Sequence, residues 1–224
     1  DEVARDLPAK IEDPACKSLP MSKFQRSLYV GAINTFKERQ TASAPSPFKN
    51  HLGLLQYLRF VSTDPQHYGQ SVFTAEDVMA YRVKAPKLDW LLRQLAVIRD
   101  QGDKVIIFCE FREMQRLLQH YVREAFAVTA DIINGDTTAS STAAESRQKR
   151  IRKFQQSPGF GVIILSPLAV GFGVNIQAAN HVVHYTRTWN PAKEDQATDR
   201  AYRIGQTKDV TVYCPVVTAE FDTF

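Results

Sequence analysis

The chain has 224 residues, 44% hydrophobic and 23% charged, which suits an ordinary soluble globular domain with a modest insertion and excludes a low-complexity or disordered chain. Its net charge of +4 permits a nucleic-acid partner without arguing for one, because a lysine-rich solvated surface has the same balance. Three scattered cysteines, Cys16, Cys109 and Cys214, form no C-x-x-C pair, so neither a zinc site nor a disulfide framework is indicated and reduced thiols inside a cell are expected.

In chain order, the stretch before Met21 carries Pro8, Pro14 and Pro20 and reads as an extended lead-in. Helical patterns follow over Lys23 to Gln40 and Phe48 to Val61, flanking a loop rich in small residues and proline, Thr41 to Pro47. From Lys84 onward helix-like and strand-like segments alternate. Leu88, Leu91, Leu92 and Leu95 fall at helical spacing, as do Phe111, Met114, Leu117, Leu118, Tyr121 and Val122. Four β-branched apolar runs read as strands: Val105 to Phe108, Val162 to Leu165, His181 to Tyr185 and Val210 to Tyr213. Continuous rather than alternating runs suit strands covered on both faces, and their alternation with helices predicts an α/β fold with a mostly parallel sheet. The division expected is residues 1–83 as lead-in and helical protrusion and 84–224 as the α/β lobe, cut short at its C-terminal side. Asp1 and Phe224 read as boundaries within a longer protein, with no signal peptide or membrane span.

Several chemistries are missing from the sequence. No G-x-x-x-x-G-K-[ST] occurs, nor any Gly-Lys pair, so no Walker A phosphate loop is present. The one Asp-Glu pair lies at the extreme start, so a metal-holding acidic strand is missing as well. Gly171-Phe-Gly173 fails as a dinucleotide fingerprint, because Ile176 occupies the third glycine position. His181 and His184, three apart on a strand, point to opposite faces and make no chelating pair; no metal site is expected. Glu110, Glu113 and Glu124 read as a solvated helical face. The chain carries no self-contained active site.

The segment Thr186 to Gln206 is the most informative. Asn190 suits an N-cap, Pro191 the first helical position, and Gly205 a left-handed helix end. Ala197, Ala201 and Ile204 make a small-residue stripe for close packing, while Gln196, Arg200 and Arg203 form a polar stripe elsewhere. An ion pair between Asp199 and Arg203 on a solvated helix would account for one pair, but not for the whole set. Asp195-Gln-Ala-Thr-Asp-Arg-Ala-Tyr-Arg-Ile-Gly-Gln206 closely resembles motif VI of the Swi/Snf-type ATPases, Q-A-x-D-R-x-x-R-I-G-Q, and Trp189-Asn-Pro191 resembles that family's W-N-P.

Other segments resemble the same family in the same order. Leu165 to Ala179 is similar to motif V, with Gly171, Gly173 and Asn175 matching, while Pro167 and Val170 depart from the usual threonine and glycine. Lys104-Val-Ile-Ile-Phe-Cys-Glu-Phe111 is similar to motif IV, with Cys109 and Glu110 in place of its polar pair. Cys109 also reads as a small buried residue. Ile133 to Asp136 followed by Thr142-Ala-Ala-Glu145 reads as strand, turn and capping box and resembles the D-G-x-T segment; Arg147 and Phe154 match the helix that follows. Weaker likeness extends upstream through Leu7 to Lys10, Met21-Ser22, Gln25 and Leu54 to Phe60, with Asp64-Pro65 standing where the family has cysteine and His-Pro. The Thr-Arg-Thr-Trp-Asn-Pro form looks bacterial.

The resemblance implies a RecA-like lobe of the P-loop-NTPase type, the second of two, preceded by a helical protrusion. Arg200 and Arg203 would reach the triphosphate held by the first lobe, with Gln196 beside them, and Gly171, Gly173 and Asn175 would lie at the nucleotide. Arginine's permanent planar charge suits phosphate oxygens as charge develops. ATP and Mg²⁺ are implied as ligands held mainly by the first lobe. Double-stranded DNA, the N-terminal ATPase lobe of the same polypeptide and a DNA-bound protein complex are the implied partners, with no membrane; the setting is intracellular, and cytoplasmic at the nucleoid for a bacterial protein. Arg112, Ser166, Arg187 and Trp189 are the expected DNA contacts, at the carboxyl ends of strands, although Trp189 also reads as packing. Two alternatives stay open: another superfamily-2 helicase lobe, which the Arg-Ile-Gly-Gln ending argues against, and a non-catalytic docking module.

Overall fold

The computed structural model describes residues 8–41, 50–65, 74–134, 141–168, 176–188, 191–199 and 206–218. Short strands β1 (Lys10–Asp13) and β2 (Leu19–Pro20) precede helices α1 (Lys23–Thr41) and α2 (His51–Thr63). Helix α3 (Ala75–Tyr81) runs into a 3₁₀ turn, Arg82–Lys84, and then α4 (Pro86–Asp100). The α/β part continues as β3 (Lys104–Phe108), α5 (Arg112–Phe126), β4 (Asp131–Ile133), α6 (Ser141–Gln156) and β5 (Gly161–Leu165). It ends with β6 (His181–His184), α7 (Pro191–Thr198), β7 (Val210–Tyr213) and β8 (Val217–Thr218).

Among the described residues six strands form one sheet in the order β1-β7-β6-β3-β5-β4, with every neighbouring pair parallel. β2 and β8 pair separately. The four apolar runs expected as strands are β3, β5, β6 and β7. β3 and β5 are buried along their whole length, the reason their sequences do not alternate. Their side chains still alternate between faces. Val105, Ile107, Val162, Ile164 and Val183 face the apolar stripes of α4 and α5, among them Leu88, Leu91, Leu95, Leu118 and Tyr121. Ile106, Phe108, Ile163, Leu165 and Val182 face Ile151 and Phe154 of α6 and Ala197 of α7. A smaller cluster of Ala32, Phe36 and Leu58 joins α1 to α2.

Local chemistry sets the helix ends. Asn50 accepts the Gly53 N–H at 2.9 Å to start α2, and Thr74 with Asp77 forms a capping box on α3. α4 begins with Pro86 and has no side-chain cap.

Three expectations need correcting. The lead-in is not merely extended: Lys10–Asp13 pairs with Val210–Tyr213 as the edge of the sheet. Glu110 lies before α5 rather than on its solvated face, and α6 already begins at Ser141, so Thr142 stands inside it. Burial of the charged lead-in strand is slight, with only Asp13 partly covered, so its sequence carries no apolar signal.

Candidate functional site

The carboxyl ends of β3, β5 and β6 form one rim. Ladder bonds from Cys109 N to Leu165 O and from Tyr185 N to Phe108 O, each 2.9 Å, carry the sheet register past the strands. Above them the Glu110 N–H donates to Thr186 Oγ1 at 2.7 Å. The packed pair α1 and α2 is fastened to this rim by Arg59 of α2, whose Nη2 donates to Glu110 Oε2 at 2.8 Å and to the Arg187 carbonyl at 2.9 Å. Its guanidinium also lies 5.0 Å from the Phe111 ring centroid, and Phe60 meets Phe111 edge-on at 4.6 Å.

Helix α7 is held on the same rim from the other side. Arg187 Nε donates to both Glu194 carboxylate oxygens at 2.9 and 3.0 Å, Nη2 approaches Oε2 at 2.8 Å, and the Thr188 N–H donates to Oε1 at 2.8 Å. Glu194 is buried while Arg187 stays about half exposed (47%), so the carboxylate is the fixed member of the pair. Further along α7, Thr198 Oγ1 donates to the Glu194 carbonyl at 3.1 Å and lies 2.8 Å from His184 Nε2. The hydroxyl proton being committed, the ring donates through Nε2 as a neutral imidazole. Burial pushes His184 down to about 4, in keeping with that form. Lys10 of β1 reaches Asp195 and Asp199 at 3.9 and 3.8 Å.

Lys87, on the first turn of α4, is buried beneath the rim. Its Nζ donates to the Tyr185 carbonyl at 3.0 Å and lies 5.5 Å from the Tyr185 ring centroid; burial pulls it down to about 8. The Cys109 thiol beside it is pushed up to about 12 by burial, and that of Cys214 up to about 11, so neither is a nucleophile at neutral pH.

The expected site residues are distributed unevenly. Gln196 is exposed on α7, and Arg112 is exposed at the start of α5. Arg187 is tied to α7 by Glu194, which brings the Arg187 loop and the Gln196 helix together. Ser166 differs from expectation: it is 6% exposed, and its hydroxyl accepts the Leu168 N–H at 3.3 Å within the turn, so it is not displayed to a ligand. Ala197 is fully buried, as a close-packing stripe requires. Gly171, Gly173, Asn175, Trp189, Arg200 and Arg203 lie outside the described residues, as do Asn190 and Gly205. Arg59, Lys87 and Glu194 went unnoticed in the sequence, where nothing distinguishes them from solvated charges.

At the opposite, amino edge of the sheet the two-face reading of the histidines holds. His181 sits between Asp103 Oδ2 at 3.2 Å and the Tyr213 hydroxyl at 3.1 Å, on the other face from His184. Among the described residues no group of three His, Cys, Asp or Glu side chains converges to hold a metal, and no helix is long and apolar enough to cross a membrane.

Residues 86–205 match the family described as the helicase conserved C-terminal domain. The Zorya protein ZorD of Escherichia coli O139:H28 is 51% identical over 228 residues, covering 100% of this chain and 20% of the relative. The putative ATP-dependent helicase/translocase YwqA of Bacillus subtilis is 34% identical over 223 residues, covering 99% of this chain and 23% of the relative. The chain thus spans about a fifth of the length of these relatives. Among solved structures, the Sulfolobus solfataricus SWI2/SNF2 ATPase core in complex with dsDNA matches with a TM-score of 0.68 and 27% identity, over 98% of this chain and 43% of that one.

Proposed function

Because this chain belongs to the helicase conserved C-terminal domain family, as the C-terminal RecA-like lobe of a Swi/Snf-type ATPase, we propose that it serves as the second motor lobe of an ATP-driven translocase on double-stranded DNA. Residues 84–224 form the lobe in this reading and residues 1–83 its lead-in and protrusion, with β1 completing the sheet edge. The observation that carries it is the fastening of α7: a buried Glu194 clamps its start to Arg187 and Thr188, and Thr198 meets His184 near its end. A helix fixed at both places can present the residues that follow it, Arg200 and Arg203, to a neighbouring surface without a large ordering cost.

That surface is the first lobe with its ATP. Arg200 and Arg203 stabilise charge on the transferring phosphoryl group, Gln196 stands beside them, and the loop with Gly171, Gly173 and Asn175 offers backbone N–H groups to phosphate. In this reading magnesium accompanies the ATP on the first lobe. DNA lies along the carboxyl rim, with Arg112 and Arg187, both exposed, and Trp189 as contacts; Ser166, engaged in its turn, drops out of that set. Phosphate contacts of this kind carry little sequence preference. The dsDNA in the Sulfolobus complex supports the assignment. Such a motor works inside the cell, where its duplex track is, and a DNA-bound protein complex is its target.

The test is DNA-stimulated ATP turnover of the full-length protein with Arg200→Ala or Arg203→Ala, and Lys193→Ala as control. Each arginine variant should lose on the order of 10³ in turnover while melting like the parent. Parent-like turnover would end the finger assignment. Loss that tracks melting would make the arginines structural. The isolated chain, lacking a Walker A loop, should not hydrolyse ATP even with duplex.

A further inference from the structure

A groove of about 230 Å³ runs between the helical protrusion and the carboxyl rim, and three cations line it: Arg59, Lys87 and Arg187. Two have carboxylate partners, Glu110 for Arg59 and Glu194 for Arg187. Lys87 has none among the described residues. Its ammonium, on a residue only 6% exposed, donates to one carbonyl, that of Tyr185. Arg187 and Arg59 repel it.

Leaving a cation in this position is costly. An ammonium carries three donors and is stable in a protein interior when acceptors and a counter-charge surround it. Here it also occupies the first turn of α4, where the helix dipole adds positive potential and no side chain caps the N–H groups. Thr186, which also lines the groove, accepts the Glu110 N–H through Oγ1 and places its hydroxyl against the Cys109 thiol. Ser62 and Thr63 donate to the Leu58 and Arg59 carbonyls of their own helix and so present oxygen, not hydrogen, to the groove.

We infer that this groove is an oxyanion subsite for a phosphate group, with Lys87 as its floor and Thr186, Arg59 and Arg187 around it. The cations come from three separate elements, α2, α4 and the segment after β6, so their approach is not coplanar. That arrangement suits a tetrahedral oxyanion better than a flat carboxylate, which favours a single planar fork. Leu55, Leu58 and Phe111 supply the apolar part of the walls. The phosphate has two possible sources, a phosphodiester of a nucleic-acid backbone or free inorganic phosphate, and the chemistry of recognition is shared. The inference rests on the groove and not on the motor assignment, so either can fail alone.

The experiment follows backbone amide resonances of the chain while inorganic phosphate is titrated against chloride at matched ionic strength. Amides of Lys87, Thr186 and Arg187 should move together and saturate. Lys87→Met, which keeps the length and removes the charge, should weaken phosphate at least tenfold while melting cooperatively; Thr186→Val should weaken it several-fold and decides the matter if the lysine variant does not fold. A DNA duplex added to the phosphate-loaded chain then separates the sources. Displacement from the same amides, lost in Lys87→Met, marks a backbone phosphodiester; duplex that leaves those amides unmoved marks free phosphate. Amides that ignore phosphate, or that respond equally in the variants, would overturn the subsite.

Discussion

The two ends of one sheet handle charge in opposite ways. At the amino edge, Asp103 accepts from Asn180 at 2.8 Å, from His181 and from Lys208, His181 passes on to the Tyr213 hydroxyl, and Gln94 donates to that hydroxyl at 3.1 Å. Burial pushes the Asp103 carboxyl up, but hydrogen bonds from Asn180, Lys208 and His181 outweigh it and hold the group below the usual range. These charges answer one another, while the nearby buried Lys104 donates to two carbonyls, those of Ser157 and Gly159, at 2.6 and 2.7 Å. At the carboxyl edge three cations face two carboxylates, and the excess sits on the most buried of them. A closed network stabilises a fold, whereas an unanswered charge waits for a ligand, and α/β sheets place ligands at their carboxyl ends.

The comparison breaks most severely at Asp103. Asp103→Ala leaves His181 and Asn180 without their acceptor and should cost about 2 to 3 kcal/mol, the penalty of stranding donors that are shielded from water. Urea unfolding should show it while phosphate binding at the groove stays unchanged; a shift below about 1 kcal/mol would mean that the network is slack.

Acid separates the two ends next. His184 is neutral when folded, with its pKa lowered by burial to about 4, while the unfolded chain takes a proton near 6.5. The unfolded state therefore binds more protons between these values. Stability is complete above about pH 6.5 and falls as the pH drops toward 4, by about 3 kcal/mol in total. His181, also lowered by burial, adds in the same direction, whereas the depressed Asp103 carboxyl keeps its contribution until the pH falls below its ordinary value of 3.8. His184→Gln should flatten much of the slope between pH 6.5 and 4; an unchanged slope would place its origin elsewhere.

Smaller effects sharpen the contrast at the open end. Glu194→Gln keeps a hydrogen-bonding side chain but removes the counter-charge of Arg187 and should cost about 1 to 2 kcal/mol. In the full-length protein it should also reduce ATP turnover by loosening α7, an effect that Glu194→Asp would partly restore. Lys10→Ala removes ion pairs at 3.8 and 3.9 Å to the exposed Asp195 and Asp199, and should shift stability by roughly 0.5 kcal/mol or less, vanishing in high salt.

Reading the sequence captures what is local or periodic. β3, β5, β6 and β7 are legible because burial on both faces demands unbroken apolar runs. β1 is not, because Lys10-Ile-Glu-Asp13 is an exposed edge held by backbone pairing. The helix that starts at Pro191 is legible from that proline and the motif around it, yet Glu194, which fastens it, resembles any acidic residue of a first helical turn. Lys87 shows the limit best. In Ala85-Pro-Lys-Leu-Asp89 it reads as a solvated helix start, and only the packing of α2 and the Tyr185 strand end around it makes it a buried charge. Such burial arises from segments about a hundred residues apart, and no local window contains it.

The pairing of β1 with β7 has a consequence in time. Ala9 bonds to the Asp209 carboxylate across a separation of 200 residues, and β2 meets β8 over a similar span. The inner strands β6, β3, β5 and β4 all lie between Lys104 and His184 and can collapse together. β1 must wait for residues made two hundred positions later, about 10 to 40 s at ordinary rates of synthesis. The sheet is therefore assembled from its middle outward, and its β1 edge is the last to close and the first place where a slow or interrupted synthesis leaves an open strand.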